Sequence, residues 1–111
     1  MEEEKKVIKA ESYTLRDESG GWLGQVVLTN DGMFACVTEW GNLSYAWRAF
    51  GEDFKKFLIG LNVGYFGSKM VAGLAYTAYN KKVSASCMRF AEKILPALQS
   101  VLIEETGADA P

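Results

Sequence analysis

Trp22-Leu-Gly-Gln-Val-Val-Leu-Thr-Asn-Asp-Gly-Met-Phe-Ala-Cys-Val-Thr38 is the stretch that decides the fold. Two runs rich in aliphatic and β-branched residues, Trp22 to Thr29 and Met33 to Thr38, flank Asn30, Asp31 and Gly32. Asn and Asp suit a type I turn, and glycine suits the left-handed position that closes a bulged hairpin. The stretch therefore reads as two antiparallel strands. On its N-terminal side, Ser12 to Arg16 alternates, with Tyr13 and Leu15 on one face, and Val7 and Ile8 are placed to extend that strand. Asp17-Glu-Ser-Gly-Gly21 joins it to Trp22, with glycines to supply positive φ. On the C-terminal side, Glu39-Trp-Gly-Asn42 leads into Leu43-Ser-Tyr-Ala-Trp-Arg48, where Leu43, Tyr45 and Trp47 share a face. Four short strands with brief loops make an antiparallel meander.

Beyond Arg48 the period changes from 2 to 3.6. Phe54, Phe57, Leu58 and Leu61 form a helical stripe, with Glu52 and Asp53 in its first turn. Gly60, Gly64 and Gly67 predict a bend around Asn62–Phe66, then a short helix from about Ser68 to Tyr79, ended by Asn80-Lys-Lys82. Ser84 or Ser86 is placed to cap a third helix whose stripe is Cys87, Phe90, Ala91, Ile94, Leu98 and Val101. Pro96 lies within that stripe and removes a backbone donor, so the helix is expected to kink or restart there. Strands followed by helices argue for an α+β fold, a four-stranded meander with three helices packed on one face of the sheet. Residues 1–9 read as a charged tail, 10–103 as one domain and 104–111 as an acidic tail.

The composition fits a single folding domain: 111 residues, 49% hydrophobic and 23% charged. There is no histidine, which excludes Ser-His-Asp and Cys-His catalysis and histidine-ligated zinc. Cys36 and Cys87 stand far apart inside apolar patterns, without C-x-x-C spacing, and read as buried reduced thiols. The start, Met1-Glu-Glu-Glu-Lys-Lys, has the wrong charge for a signal peptide, and no apolar run approaches about 18 residues. A cytoplasmic protein with no membrane partner is the expectation. Net charge is −2, but residues 1–51 hold five basic and eight acidic side chains, whereas 52–103 hold seven basic and three acidic. A basic C-terminal half keeps nucleic-acid binding open, against the plainer account of lysines on solvated helix faces.

Candidate chemistry resolves mostly into structure. Gly60-x-x-x-Gly64-x-x-Gly67-Ser-Lys69 has the wrong residue order and follows a helix, unlike a phosphate loop; close helix approach or helix termination explains it. Asp31 has its turn, and Glu52 and Asp53 have their helix start. Glu39 alone lacks a local role, and one carboxylate is no acid–base dyad. No catalytic residue, metal site or cofactor emerges, so a non-enzymatic binder is expected. Trp22 opens a strand and Trp40 sits in a tight turn, positions at which at least one ring stays partly exposed. Rim aromatics anchor protein partners. The alternative is that they close the end of the core. Trp22, Trp40, Asn42 and Arg48 form the candidate partner-binding set; Lys55, Lys56, Lys81, Lys82 and Arg89 form the alternative nucleic-acid set. Leu98, Val101, Leu102 and Ile103 offer a homodimer surface on the last helix.

Gly21 to Arg48, with Trp40-Gly-Asn-Leu-Ser-Tyr-Ala-Trp47 after the Asp31-Gly32 hairpin, resembles a group of small bacteriophage and prophage proteins. Phe50-Gly-Glu-Asp-Phe-Lys-Lys-Phe-Leu58 and Tyr65-Phe-Gly-Ser-Lys-Met70 extend the likeness, which covers about residues 13–70. The resemblance implies a phage accessory protein acting in the bacterial cytoplasm and assigns no catalytic residue. Small phage proteins of this kind commonly block a host defence complex, a CRISPR effector being the most concrete case. An anti-CRISPR protein is thus the leading expectation, and a nucleic-acid-associated accessory protein the alternative.

Overall fold

In the computed structural model, which describes residues 7–74 and 81–108, four strands pair in chain order. They are β1 (Ala10–Arg16), β2 (Trp22–Thr29), β3 (Met33–Thr38) and β4 (Gly41–Ala46), each antiparallel to the next. Register puts Tyr13, Val26, Cys36 and Leu43 in one row across the sheet, and Leu28, Phe34 and Tyr45 in another. Because side chains alternate, these rows share a face. Leu15, Val26 and Phe34 on that face are fully buried, whereas Met33 and Val37 on the other are exposed. Val7 and Ile8 do not extend β1, because β2 ends opposite Ala10, at Thr29. Asn30 closes the pair there by exchanging hydrogen bonds with the Lys9 backbone.

The turns follow their residues. Asp17 Oδ1 accepts from the Ser19 hydroxyl and from the Ser19 and Gly21 amides, which lowers its pKa, and Gly20 takes φ +88°. At the β2–β3 turn, Gly32 has φ +101° and accepts a hydrogen bond at 2.8 Å from the Trp47 amide. A Cβ there would lie 2.2 Å from the Trp47 carbonyl oxygen, so glycine is required twice over: for its backbone angle and for the approach of the chain leaving β4.

Three helices cover the buried face: α1 (Phe54–Ile59), α2 (Val63–Ala72) and α3 (Lys81–Thr106). α3 lies on β1 and β2, α2 sits beside β4, and both α1 and α2 pack on α3. The α+β architecture matches the sequence reading; several boundaries do not. Asp53 caps α1, accepting from the Lys55 and Lys56 amides, instead of lying in its first turn. α2 begins at Val63 and not near Ser68, because the Asn62 side chain accepts from the Tyr65 amide at 2.8 Å and starts the helix through the glycines. Gly67 then serves close packing: a Cβ there would stand 3.2 Å from Met88 Cε and 3.5 Å from Ala91 Cβ of α3. α2 ends at Gly73; the predicted end near Tyr79 and Asn80 lies outside the described residues. Lys81 and Lys82 are already helical, so neither Ser84 nor Ser86 caps α3.

Nor does α3 restart at Pro96. It runs unbroken for 26 residues, about 39 Å at 1.5 Å per residue. Pro96 deprives the Glu92 carbonyl of its helical donor, but both residues are exposed, so water can take that place. The helix also continues through Glu104 and Glu105, which the sequence places in a tail.

Phe34, Phe66 and Phe90 stack through the centre of the core, with Phe34 edge-on to Phe66 at 5.2 Å. Trp47 is buried among Tyr45, Phe54 and Phe57, and its indole N–H donates to the Tyr65 hydroxyl at 3.1 Å. Cys36 and Cys87 are both buried and free.

Candidate binding groove

Trp22 opens β2 and Trp40 occupies the β3–β4 turn; the pairing of Gln25 with Val37 carries both to the same end of the sheet. The two residues are 40% and 60% exposed, whereas Trp47 is buried. The Trp40 turn is tied by its own hydrogen bonds. Thr38 Oγ1 accepts from the Trp40 amide at 3.0 Å and donates to the Gly41 carbonyl at 2.8 Å. Asn42, opposite Val37, stands next to this turn on β4. Arg48 does not join them. It follows Trp47, whose amide is tied to Gly32, at the other end of a strand of six residues, about 20 Å away.

The five cations of the nucleic-acid set also divide. Lys55 lies in a clasp with Glu11, at 2.8 Å, and Glu105, and its ammonium sits 5.8 Å from the centre of the Tyr13 ring. Burial works against its charge, but the hydrogen bonds its ammonium makes to Glu105, Glu11 and Tyr13 outweigh that and raise its pKa. Burial likewise pushes the Tyr13 hydroxyl up to about 12. Lys55 is therefore committed to joining β1, α1 and the end of α3. From Glu105 back along the helix, Arg89 is about 24 Å away and Lys82 about 35 Å. The length of α3 holds Lys55 and Lys56 apart from Lys81, Lys82 and Arg89, so no single five-cation patch forms.

The fold makes a different grouping. Between the β3–β4 turn and the first half of α3 lies a groove of about 570 Å3. Trp40, Asn42, Leu43 and Leu74 line one part of it, and Lys82, Cys87, Arg89, Phe90 and Lys93 another. It thus joins members of both predicted sets. No acidic side chain is among its described lining residues. Lys93 was absent from the sequence reading of the basic set, although its spacing, four residues after Arg89 and eleven after Lys82, puts it on their helical face. Arg89 donates to the Ser86 hydroxyl at 3.3 Å, and Lys93 is near enough to Asp17 to help lower its pKa.

Burial raises the pKa of Cys87 and pushes that of Cys36 up to about 12, so both thiols stay protonated and weakly nucleophilic at neutral pH. Among the described residues, no three His, Cys, Asp or Glu side chains converge as a metal site would require. Among them, too, no helix is long and apolar enough to cross a membrane. Of the four residues of the expected dimer surface, Leu98 and Leu102 are fully buried in the protomer's own core, because α3 turns that stripe toward the sheet and α1, whereas Val101 and Ile103 are half-buried.

A phage family model, Phage_phiTE_072, matches residues 1–88, a span that takes in the whole sheet, α1, α2 and the start of α3. No curated protein and no solved structure matches the chain.

Proposed function

The chain belongs to this phage family, and from that premise we propose that it is a non-enzymatic accessory protein that binds and inhibits a host defence complex in the bacterial cytoplasm, most concretely a CRISPR effector. What supports the reading is the groove beside Trp40, whose lining combines an exposed tryptophan with apolar side chains and exposed cations. Tryptophan and arginine are the side chains most enriched among residues that dominate protein–protein binding. Inhibition of a multi-subunit machine requires occupancy of a working surface and no chemistry. Two protonated buried thiols and the absence of histidine suit that role.

The test is a plasmid-interference assay in a bacterium with an active CRISPR system, combined with affinity purification of the tagged protein. Expression of the protein should abolish interference and bring down an effector subunit, and Trp40→Ala should restore interference while leaving the fold intact. Full interference in the presence of the wild-type protein, with no defence subunit recovered, refutes the reading.

A further inference from the structure

We infer that the groove is the docking site for an acidic segment of the host partner, a short stretch that places one bulky apolar side chain between carboxylates. This inference rests on the function proposed above and names the chemistry of its contact.

The argument starts from the spacing of the cations. Lys82, Arg89 and Lys93 are all exposed, and on a helix they succeed one another at rises of about 10 and 6 Å along one face. A chain extended at about 3.3 Å per residue passes the three in about five residues. Beneath them the groove is apolar, with Leu43 and Phe90 in its lining, and Trp40 standing at the sheet end. Its 570 Å3 falls within the range of about 300–1,000 Å3 typical of sites that enclose a ligand. An apolar floor calls for an apolar side chain, and three cations without an acid among the described lining residues call for carboxylates beside it.

A nucleic-acid strand fits these features less well. Single-strand binders present successive aromatic rings for successive bases and a basic track for the phosphates. Among the described lining residues, Trp40 is the only exposed large aromatic. The whole chain carries a net charge of −2, and Asp17, Glu18 and Glu39 stand at the same end of the sheet. Those charges together repel a long polyanion more than a segment of a few carboxylates that lies along the three cations, Asp17 beside Lys93 being the acid such a segment meets.

The probe is a fluorescein-labelled heptapeptide, Glu-Asp-Glu-Phe-Leu-Asp-Glu, followed by fluorescence anisotropy. Its controls are the same peptide with Gln and Asn for Glu and Asp, and a twelve-nucleotide oligothymidylate as competitor. The acidic peptide should bind at least tenfold more tightly than its amide counterpart, weaken severalfold between 0.05 and 0.3 M salt, as an order-of-magnitude expectation for screened pairs, and resist displacement by the oligothymidylate. The triple variant Lys82→Gln, Arg89→Gln, Lys93→Gln, checked for its fold by circular dichroism, should lose about tenfold or more in affinity. Equal binding of the amide peptide overturns the charge argument. Displacement by the oligothymidylate makes the groove a nucleic-acid site instead, and a dimer in light scattering that the peptide dissociates makes a second copy its occupant. No binding of the acidic peptide overturns the inference outright. Recovery of the same effector subunit by wild type and triple variant would overturn the groove inference while the proposed function stood. Peptide binding with no defence subunit recovered from the host would do the reverse.

Discussion

Replacing Gln99 with leucine removes one amide that holds the end of α1 to α3. Gln99 Nε2 lies 3.0 Å from the Leu58 and Ile59 carbonyl oxygens and 2.8 Å from that of Leu61. An amide nitrogen carries two hydrogens, so three carbonyls share two donors and at most two full bonds are at stake. Leu58 has another donor in the Leu61 amide, at 3.2 Å, and the cost therefore falls on Ile59 and Leu61. A lost bond that leaves a carbonyl partly buried costs about 1–3 kcal/mol, and the half-buried setting of Gln99 favours the lower part of that range. Gln99→Leu keeps the side-chain volume close to that of Gln and should destabilise by about 2–4 kcal/mol, a large share of the roughly 5–15 kcal/mol available to a domain. Gln99→Glu should be worse at pH 7, since it sets a carboxylate against carbonyl oxygens. Its folded pKa then lies above the unfolded value of about 4.3, so its deficit relative to wild type should shrink as pH falls through that raised pKa. Urea unfolding of the three proteins at pH 7 and pH 4 measures both effects. A Gln99→Leu variant within about 0.5 kcal/mol of wild type, or a Gln99→Glu deficit that does not narrow at pH 4, would show that the carbonyls are satisfied in another way.

Gly32→Ala and Gly20→Ala separate backbone angle from space: both sites have positive φ, but only at Gly32 would the new Cβ meet a backbone oxygen, at 2.2 Å. Thermal unfolding should show a loss of about 1–2 kcal/mol for Gly20→Ala and a much larger one, or failure to fold, for Gly32→Ala. Phe90→Ala should cost about 3–5 kcal/mol in urea titrations because Phe90 is buried against Phe66, and Phe57→Ala should cost less because Phe57 is only partly buried; equal losses would contradict this ranking. The pKa of Glu105 is lowered by its hydrogen bonds to Lys55 and Tyr13, so its contribution is fully present above the ordinary value of 4.5 and is lost as pH falls through the lowered folded pKa. Glu105→Gln should therefore flatten the acid limb of the stability curve and cost under about 1 kcal/mol at pH 7, given the solvent exposure of the pair.

The sequence by itself determined the order of elements and the identity of the buried face. Alternation in β1–β4 named Leu15, Tyr45 and Trp47 as inward-facing, and the 3.6 period named Phe54, Phe90 and Ile94, because each pattern is written locally by the side-chain geometry of its own element. Helix ends were legible only in part. Asn62 overrode the glycines after it through one side-chain bond, and the helix runs on through Pro96 at an exposed position where the Glu92 carbonyl is open to solvent. Only the tertiary structure decided which distant residues meet. Antiparallel pairing sent Arg48 to one end of the sheet and Trp22 and Trp40 to the other, and a continuous 26-residue helix parted Lys55 from Lys82 while setting Lys82, Arg89 and Lys93 beside Trp40. Gln99, a polar residue on the flank of an apolar stripe, has no pattern that announces three carbonyl partners 38 to 41 residues away. Such contacts depend on how two rigid elements dock, which is set by packing across the whole core and is encoded in no single window of sequence.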